Sequence, residues 1–522
     1  MNHWIIAPVA LPALAGVAVL LGARGSLRGQ RLLGGLATAA LLGIGILLMD
    51  QAYDGTVQAY ALGAWPAPFG IVLVLDRLSA MMVLMTALVA CCSLLYAITG
   101  PDSHGANFHA LFQFQLMGLC GAFLTGDVFN LFVFFEVLLI ASYGLLLHGG
   151  GRERVRAGLH YVVFNLVGSS LFLIGVGTIY GVTGTLNMAD LAVKVPQVAP
   201  TDTTLLMFGA LVLLVVFAVK AALLPLCFWL PRTYGSAAAP VAALFAIMTK
   251  VGIYSIVRVY TVAFGSEAGV AADVAQEWLW PLALLTLLVG TLGVLAARGL
   301  RTLAAYLVIT SVGMMLTVVG LGSTASLGAA FYYMLHSTFA LAAMFLLVDL
   351  IVLQRGEVAG RLVRAPAVRQ PALLGGMFLV LAVALAGLPP LSGFIGKVLI
   401  LSAALGAQPA VWVYAVVLTA GFMALVALSR AGSMVFWNVN RGSANPGDIV
   451  APTVPRAEPA RVAAVVVLLA LVVAMSVFAG PVARFAYSTA AQLLRPDDYI
   501  EAVMNASPEG GDNVPAHGAG GR

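Results

Sequence analysis

Residues 203–230 read TTLLMFGALVLLVVFAVKAALLPLCFWL, an apolar run interrupted by one charge, Lys220, and one proline, Pro225. About 20 apolar residues cross a hydrocarbon core of about 30 Å, so the run is long enough for a transmembrane helix. A proline inside such a helix removes a donor and frees the carbonyl four residues back, here that of Ala221. Lipid tolerates a freed carbonyl only where protein or water satisfies it. A lysine near the membrane centre costs on the order of 3 kcal/mol even on a lenient scale, which makes Lys220 a functional candidate. The stretch predicts a membrane-spanning helix, broken in its middle, with a titratable group beside the break. The competing reading of Pro225 alone is a packing kink.

The same pattern extends to both ends of the chain. Of 522 residues, 61% are hydrophobic and 9% charged, whereas a soluble domain carries charge on roughly a quarter of its residues. Apolar runs are predicted at 3–22, 31–49, 71–99, 108–126, 127–147, 157–182, 203–230, 237–264, 278–297, 302–322, 327–353, 371–405, 410–437 and 460–486. The expected fold is an all-α integral membrane protein of about 14 transmembrane helices. The second broken run contains GLPPLSGFIGK at 387–397, with Pro389, Pro390, Gly393 and Gly396 inside an apolar span. Paired broken helices, one in each half, point to a transporter built from repeats.

The opening MNHWIIAPVALPALAGVAVLLGA lacks the basic start of a signal peptide and is followed by Arg24, Arg28 and Arg31, so it reads as the first membrane helix. Arginines then recur in alternate loops: Arg152, Arg154 and Arg156; Arg298 and Arg301; Arg355, Arg361, Arg364 and Arg369; Arg441 and Arg456. All fall on one side, as the positive-inside rule requires of a cytoplasmic face. Loops 50–70 and 265–277, on the other side, hold Asp50, Asp54, Glu267, Asp273 and Glu277 but no Lys or Arg. Both termini are then expected outside. The net charge of +5 is spent on loop arginines without interleaved aromatics, which argues against a nucleic-acid partner. Cys91, Cys92, Cys120 and Cys227 lie in apolar runs with no CxxC pair and read as small hydrophobes. GVGTIYG at 175–181 nearly matches a dinucleotide fingerprint but falls in a membrane span, where close helix packing explains it. After about residue 487 come an amphipathic piece, AAQLLRPDDYIEAVM, and a Gly/Pro/Asn-rich end expected to be disordered.

Only four of the 26 basic residues are lysines, and three of those, Lys220, Lys250 and Lys397, lie deep in apolar runs. Lysine can shed its proton when desolvated and arginine effectively cannot, so a buried site that must switch charge uses lysine. Glu136, within FNLFVFFEVLLIASYGLL, is the clearest buried acid. It is expected to pair with Lys220, each holding the other charged until they separate. Lys250, Lys397 and His336 supply further stations, histidine being suited to relay near neutrality. Asp76 with Arg77, Asp127 and Asp349 sit near helix ends, where a structural role competes with a functional one.

These residues lie in stretches that resemble a known family. DRLSAMM at 76–82, FLTGDVFNLFVFFEVLLIASYGLL at 123–146, KAALLP at 220–225, TKVGIY at 249–254 and GLPPLSGFIGK are similar to the antiporter-like subunits shared by Mrp-type cation/proton antiporters and the membrane arm of respiratory NADH dehydrogenase. Within it, HYVVFNLVGSSLFLIGVGTIYGVTGTLNMADL and AQLLRPDDYIEAV resemble the D-type subunits of the Mrp, or Pha, systems. The resemblance implies helices one to three in 1–107, two inverted repeats in 108–264 and 265–437, a last membrane helix in 438–486 and a tail in 487–522. It implies Glu136 and Lys220 as a gating pair, with Lys250, His336 and Lys397 continuing a hydrophilic axis. It also implies a bacterial inner-membrane complex with a large A-type subunit and small hydrophobic ones, exchanging Na⁺ or K⁺ for protons without a cofactor or metal. The alternative is a proton-pumping subunit of an NADH:quinone oxidoreductase or membrane-bound hydrogenase; with no flavin, iron–sulfur or nucleotide motif here, redox chemistry would belong to its partners. Two departures from the respiratory pattern favour the antiporter: Ala340 stands four residues after His336 in place of a lysine, and Thr310–Ser311 in place of a serine–histidine.

Overall fold

A computed structural model of the chain describes residues 2–23, 25–408, 410–439 and 456–506. The helices are α1 (Ala7–Gly22), α2 (Leu27–Ala52), α3 (Arg77–Ala97), α4 (Phe108–Leu124), α5 (Val128–Leu147), α6 (Arg152–Thr183), α7 (Met188–Lys194), α8 (Thr203–Ala221), α9 (Leu230–Ser236) and α10 (Ala239–Val262). They continue with α11 (Gln276–Ala296), α12 (Leu300–Val319), α13 (Thr324–Gln354), α14 (Pro371–Ala386), α15 (Ser392–Ala404), α16 (Ala410–Gly432), α17 (Pro459–Val477), α18 (Ala479–Leu493) and α19 (Asp497–Met504). Among the described residues, 11 helices are long and apolar enough to span a membrane, and α1, α4, α14 and α15 are shorter apolar helices.

Both expected breaks are present. α8 stops at Ala221; Ala222 takes a left-handed conformation (φ 61°). The Leu224 N–H donates to Thr286 Oγ1 of α11 at 2.8 Å, and the Trp229 indole N–H reaches back to the Val219 carbonyl at 3.2 Å. The backbone groups released at the break are thus met by protein, as an apolar surround demands. α14 ends at Ala386, and Gly387 (φ 75°), with no Cβ to clash, turns the chain toward α15.

α10 forms the axis of the bundle: its apolar window is wholly buried, and it packs against α3, α8, α12 and α13. Gly252 permits the tightest of these approaches, since a Cβ there would lie 2.4 Å from the backbone N of Ala221.

Three expectations need correction. The run starting at 71 does not begin as helix: Val72–Leu75 is a strand, β2, paired antiparallel with β1 (Gln58–Ala61), so the fold is helical with one hairpin. VLVL is buried on both faces, and short apolar runs of this kind carry no period that separates strand from helix. Asp76 then caps α3 in a reciprocal box with Ser79, ending the strand. Second, α6 starts at Arg152 instead of 157, so its three arginines lie in the first turns of the helix. Third, not every arginine serves the loops: Arg258 is buried inside α10. The expected last helix divides into α17 and α18 at Phe478, and α19 packs on α7 and β1. Arg24, Arg441 and the Gly/Pro/Asn-rich end beyond 506 lie outside the described residues.

Candidate proton relay

Glu136 projects from α5 toward α6, half-buried, where the Ser169 hydroxyl donates to its Oε1. The same hydroxyl lies 3.0 Å from the Asn165 carbonyl one turn back. A serine has a single proton, so it can serve one of these acceptors at a time. One turn back on the same face of α6, Lys220 Nζ donates to Asn165 Oδ1 at 3.1 Å, and the Asn165 amide is oriented by its Nδ2 donating to the Tyr161 carbonyl at 2.9 Å. The Phe135 ring flanks the ammonium at 5.7 Å. Glu136 and Lys220 therefore meet at one site but not directly: no ion pair joins them among the described residues, because α6 packs against both α5 and α8 and places Asn165 and Ser169 between them. The sequence carries a signal for these two: polar residues four apart on one face of an apolar helix.

The breaks explain where the lysines sit. Lys220 lies in the last turn of α8, and Lys397 Nζ donates to the carbonyl of Ala386, the last residue of α14, at 2.6 Å. Each break leaves a helix C-terminus inside the bundle, where unsatisfied carbonyls and the negative end of the helix dipole favour a cation. Lys397 binds such a carbonyl directly, whereas Lys220, carried on the helix that ends, reaches Asn165 instead.

Between them, Lys250 is fully buried and donates to Ser311 Oγ at 3.4 Å; Ser311 in turn donates to the Val308 carbonyl at 2.7 Å. The hydroxyl that replaces a histidine in the respiratory pattern is thus on the axis. His336 Nδ1 lies 2.9 Å from Ser392 Oγ, at the start of α15. Ser392 donates to the Val472 carbonyl at 3.0 Å, so the imidazole Nδ1–H becomes the donor to serine and Nε2 is left as an acceptor. Gly393 makes room for that nitrogen: a Cβ there would lie 2.9 Å from it. Lys250 and Lys397 both lie within electrostatic reach of His336.

The remaining acids stand apart. Asp127 caps α5 through the Asn130 N–H at 2.7 Å. Asp349 accepts from Arg301 at 2.7 Å and from Tyr96 at 2.9 Å. Asp76 is bound by Arg258, whereas Arg77 turns away to the Tyr53 carbonyl. In the loop after α3, burial opposes the Asp102 charge, but Arg31 at 2.7 and 2.8 Å and His109 at 3.0 Å outweigh it and hold the carboxyl down to about 2. Among the described residues, no three His, Cys, Asp or Glu side chains are grouped to hold a metal ion.

A sequence profile of the NADH:quinone oxidoreductase/Mrp antiporter transmembrane family matches residues 125–423, which include Glu136, Lys220, Lys250, His336 and Lys397. The chain is 42% identical to the D subunit of a probable K(+)/H(+) antiporter of Rhizobium meliloti (strain 1021), over 98% of this chain and 99% of the relative. It is 36% identical to the D subunit of the Na(+)/H(+) antiporter of Bacillus subtilis (strain 168), over 97% and 100%. Its fold is similar to a chain of the Mrp complex from Dietzia sp. DQ12-45-1b, with a TM-score of 0.85 at 28% identity over 97% of this chain and 100% of that one. A chain of an archaeal membrane-bound sulfane sulfur reductase, a respiratory membrane complex, matches at 0.86 with 26% identity over 96% and 99%. The buried lysines, the two helix breaks and the full-length likeness agree: this chain is a multi-pass membrane protein of the NADH:quinone oxidoreductase/Mrp antiporter family, and within it belongs with the antiporter D subunits.

Proposed function

We propose that the chain is the proton-conducting D-type component of a hetero-oligomeric antiporter that exchanges protons for Na⁺ or K⁺ across a bacterial inner membrane. The observation that carries this reading is the Glu136–Ser169–Asn165–Lys220 bridge. With its proton on Glu136, Ser169 stabilises the carboxylate; turned to the Asn165 carbonyl, it releases Glu136. The ammonium of Lys220 is held by one asparagine oxygen, so a small movement of α6 frees it to pass a proton toward Lys250, Ser311 and the His336–Lys397 end. On this reading the loop arginines face the cytoplasm and both termini lie outside; α14 and α15 make one broken crossing of fourteen, and the inverted repeats run over 108–264 and 265–437.

Of the five relay residues, Glu136 and Lys397 alone reach the surface of the subunit, each half-buried. An ionisable group at membrane depth facing lipid is costly. Partner subunits, a large A-type one and small hydrophobic ones, would cover these two points. The respiratory alternative has the fold likeness on its side, but the Rhizobium and Bacillus relatives, both above 30% identity, are antiporter components.

The test is cation-induced collapse of a pH gradient in vesicles holding the complete complex, comparing Na⁺, K⁺ and Li⁺. Glu136→Gln and Lys220→Met should abolish exchange in a normally assembled complex. An assembled wild-type complex that no cation discharges, or variants exchanging at the wild-type rate, would refute the proposal.

A further inference from the structure

At the end of α13 that the proposed topology puts in the cytoplasm, a cavity of about 250 Å³ opens between that helix and the start of α17. Leu350, Leu353 and Gln354 of α13 line one side, and Arg456, Glu458 and Arg461 the other. Leu353 is 45% exposed, so the apolar side opens onto the surface that lipid covers. Arg461 is partly committed: Nε donates to Thr99 Oγ1 at 2.7 Å, Nη2 to the Thr99 carbonyl at 3.2 Å, and the guanidinium lies 5.3 Å from the Tyr96 ring. Its Nη1 makes no hydrogen bond among the described residues. Arg456 is exposed and, among the described residues, makes neither a hydrogen bond nor an ion pair. The one carboxylate lining the cavity is Glu458, half-exposed and 3.8 Å from Arg461. Arg31 lies within electrostatic reach of Glu458, but Asp102 offsets its charge. Two guanidinium groups against one carboxylate leave the cavity a single surplus positive charge.

A ligand that suits this cavity carries one negative charge on oxygens that a guanidinium fork can grip, and hydrocarbon to cover leucine. Free phosphate would meet the arginines and leave the leucines bare; a zwitterionic lipid would bring a second cation to a site that already has one in excess. Basic pockets between membrane helices on the cytoplasmic side suit anionic headgroups. We propose that this cavity binds an anionic phospholipid, with its phosphodiester on Arg456 and Arg461 and its acyl chains along Leu350 and Leu353, and that the lipid anchors α17 against α13. At this end α17 is otherwise tied by Arg461 to Thr99 and by the Ala457 N–H, which donates to Gln370 Oε1 at 2.7 Å. About 16 Å further along α17, at 1.5 Å per residue, the Val472 carbonyl accepts from Ser392, the partner of His336. A helix held at its start therefore keeps that acceptor in place. The effect on exchange rests on the function proposed above; binding of the lipid does not.

The test takes the complete complex, titrated in detergent with phosphatidylglycerol, phosphatidylcholine or inorganic phosphate, and counts bound molecules by native mass spectrometry. Wild type should retain one more phosphatidylglycerol than Arg456→Gln, whose occupancy of that position should fall about fivefold or more, the worth of one arginine near an anionic headgroup. Arg456→Lys should recover most of it, and phosphatidylcholine counts should not differ. In phosphatidylcholine vesicles, adding phosphatidylglycerol should speed exchange more for wild type than for Arg456→Gln, since the change in surface charge is common to both. Arg461→Gln also loses the Thr99 bonds; if it fails to assemble, Arg456→Gln decides. Equal phosphatidylglycerol counts overturn the site, and inorganic phosphate bound with no lipid retained overturns the lipid as its occupant. A lower count with equal speeding overturns the anchor. None of these results touches the Glu136–Lys220 reading, which Lys220→Met tests on its own.

Discussion

Replacing Gly252 by alanine adds one methyl group and should impair transport more than assembly. The new Cβ would fall 2.4 Å from the Ala221 backbone N, 2.8 Å from Ala221 Cα and 2.8 Å from the Lys220 carbonyl carbon. All three are main-chain atoms at the α8 break and cannot rotate away. Restoring an ordinary contact means moving α10 and the end of α8 apart by about 1 Å, an overpacking that costs about 1–3 kcal/mol. Lys220 is held by a single side-chain hydrogen bond of 3.1 Å to Asn165, and a shift of that size at the end of α8, in any direction, spoils its distance or its angle. A hydrogen bond to a charged group is worth about 1.5–3 kcal/mol, which corresponds to a rate loss of roughly ten- to a hundredfold. The assay is cation/proton exchange in vesicles normalised to the amount of assembled complex. Wild-type exchange in an assembled Gly252→Ala complex would refute the reasoning, and so would failure of the protein to accumulate, since the overpacking cost would then have been set too low.

Further expectations concern the rest of the polar framework. Ser169→Ala should slow exchange without affecting assembly, and Asn165→Leu should do so more severely because it strands Lys220; equal effects, measured in the same vesicles, would count against a sequential bridge. Ser392→Ala should leave His336 in place but without its Nδ1 partner, giving partial loss where His336→Leu gives complete loss; identical residual rates would separate Ser392 from the relay. Asp102→Asn should lower thermal stability by about 1–3 kcal/mol, the worth of charged hydrogen bonds. Because the folded carboxyl titrates at about 2, below its unfolded value, its contribution is complete above the unfolded value and fades only as pH falls through about 2. The destabilisation should then persist at mildly alkaline pH, where the Arg31 pair alone sustains it; its disappearance there would contradict the assignment.

What was legible in the sequence was whatever lipid makes costly. An apolar run long enough to span, a lysine within it and a proline after the lysine are all exceptions to the solvent, and the α8 and α14/α15 breaks fell where Pro225 and Gly387–Pro390 indicated. Polar residues that blend with helix packing were not legible. Asn165 and Ser169 look like interhelical contacts until α6 is seen to separate Glu136 from Lys220. Arg258 stands within an apolar run, and only its spacing from Lys250 marks it as different from the loop arginines. The hairpin of β1 and β2 escaped because VLVL carries no period of its own. The partner of Asp76 could not be read at all, since 182 residues separate it from Arg258.

The contacts of α18 impose an order on how the protein is made. Gln492 donates to the Gly55 carbonyl at 2.7 Å and accepts the N–H of Arg77, joining positions more than 400 residues apart. While the ribosome is still translating the last helices, the loop leading to α3 has no latch and Arg258 has no aromatic cover. Until α18 and α19, with the Tyr499 ring that lies against Arg258, have been made, the bundle therefore stays open at this end. Termination before residue 499 would leave a protein with every long membrane helix but an unsealed charged pair, the kind of defect that membrane proteases recognise.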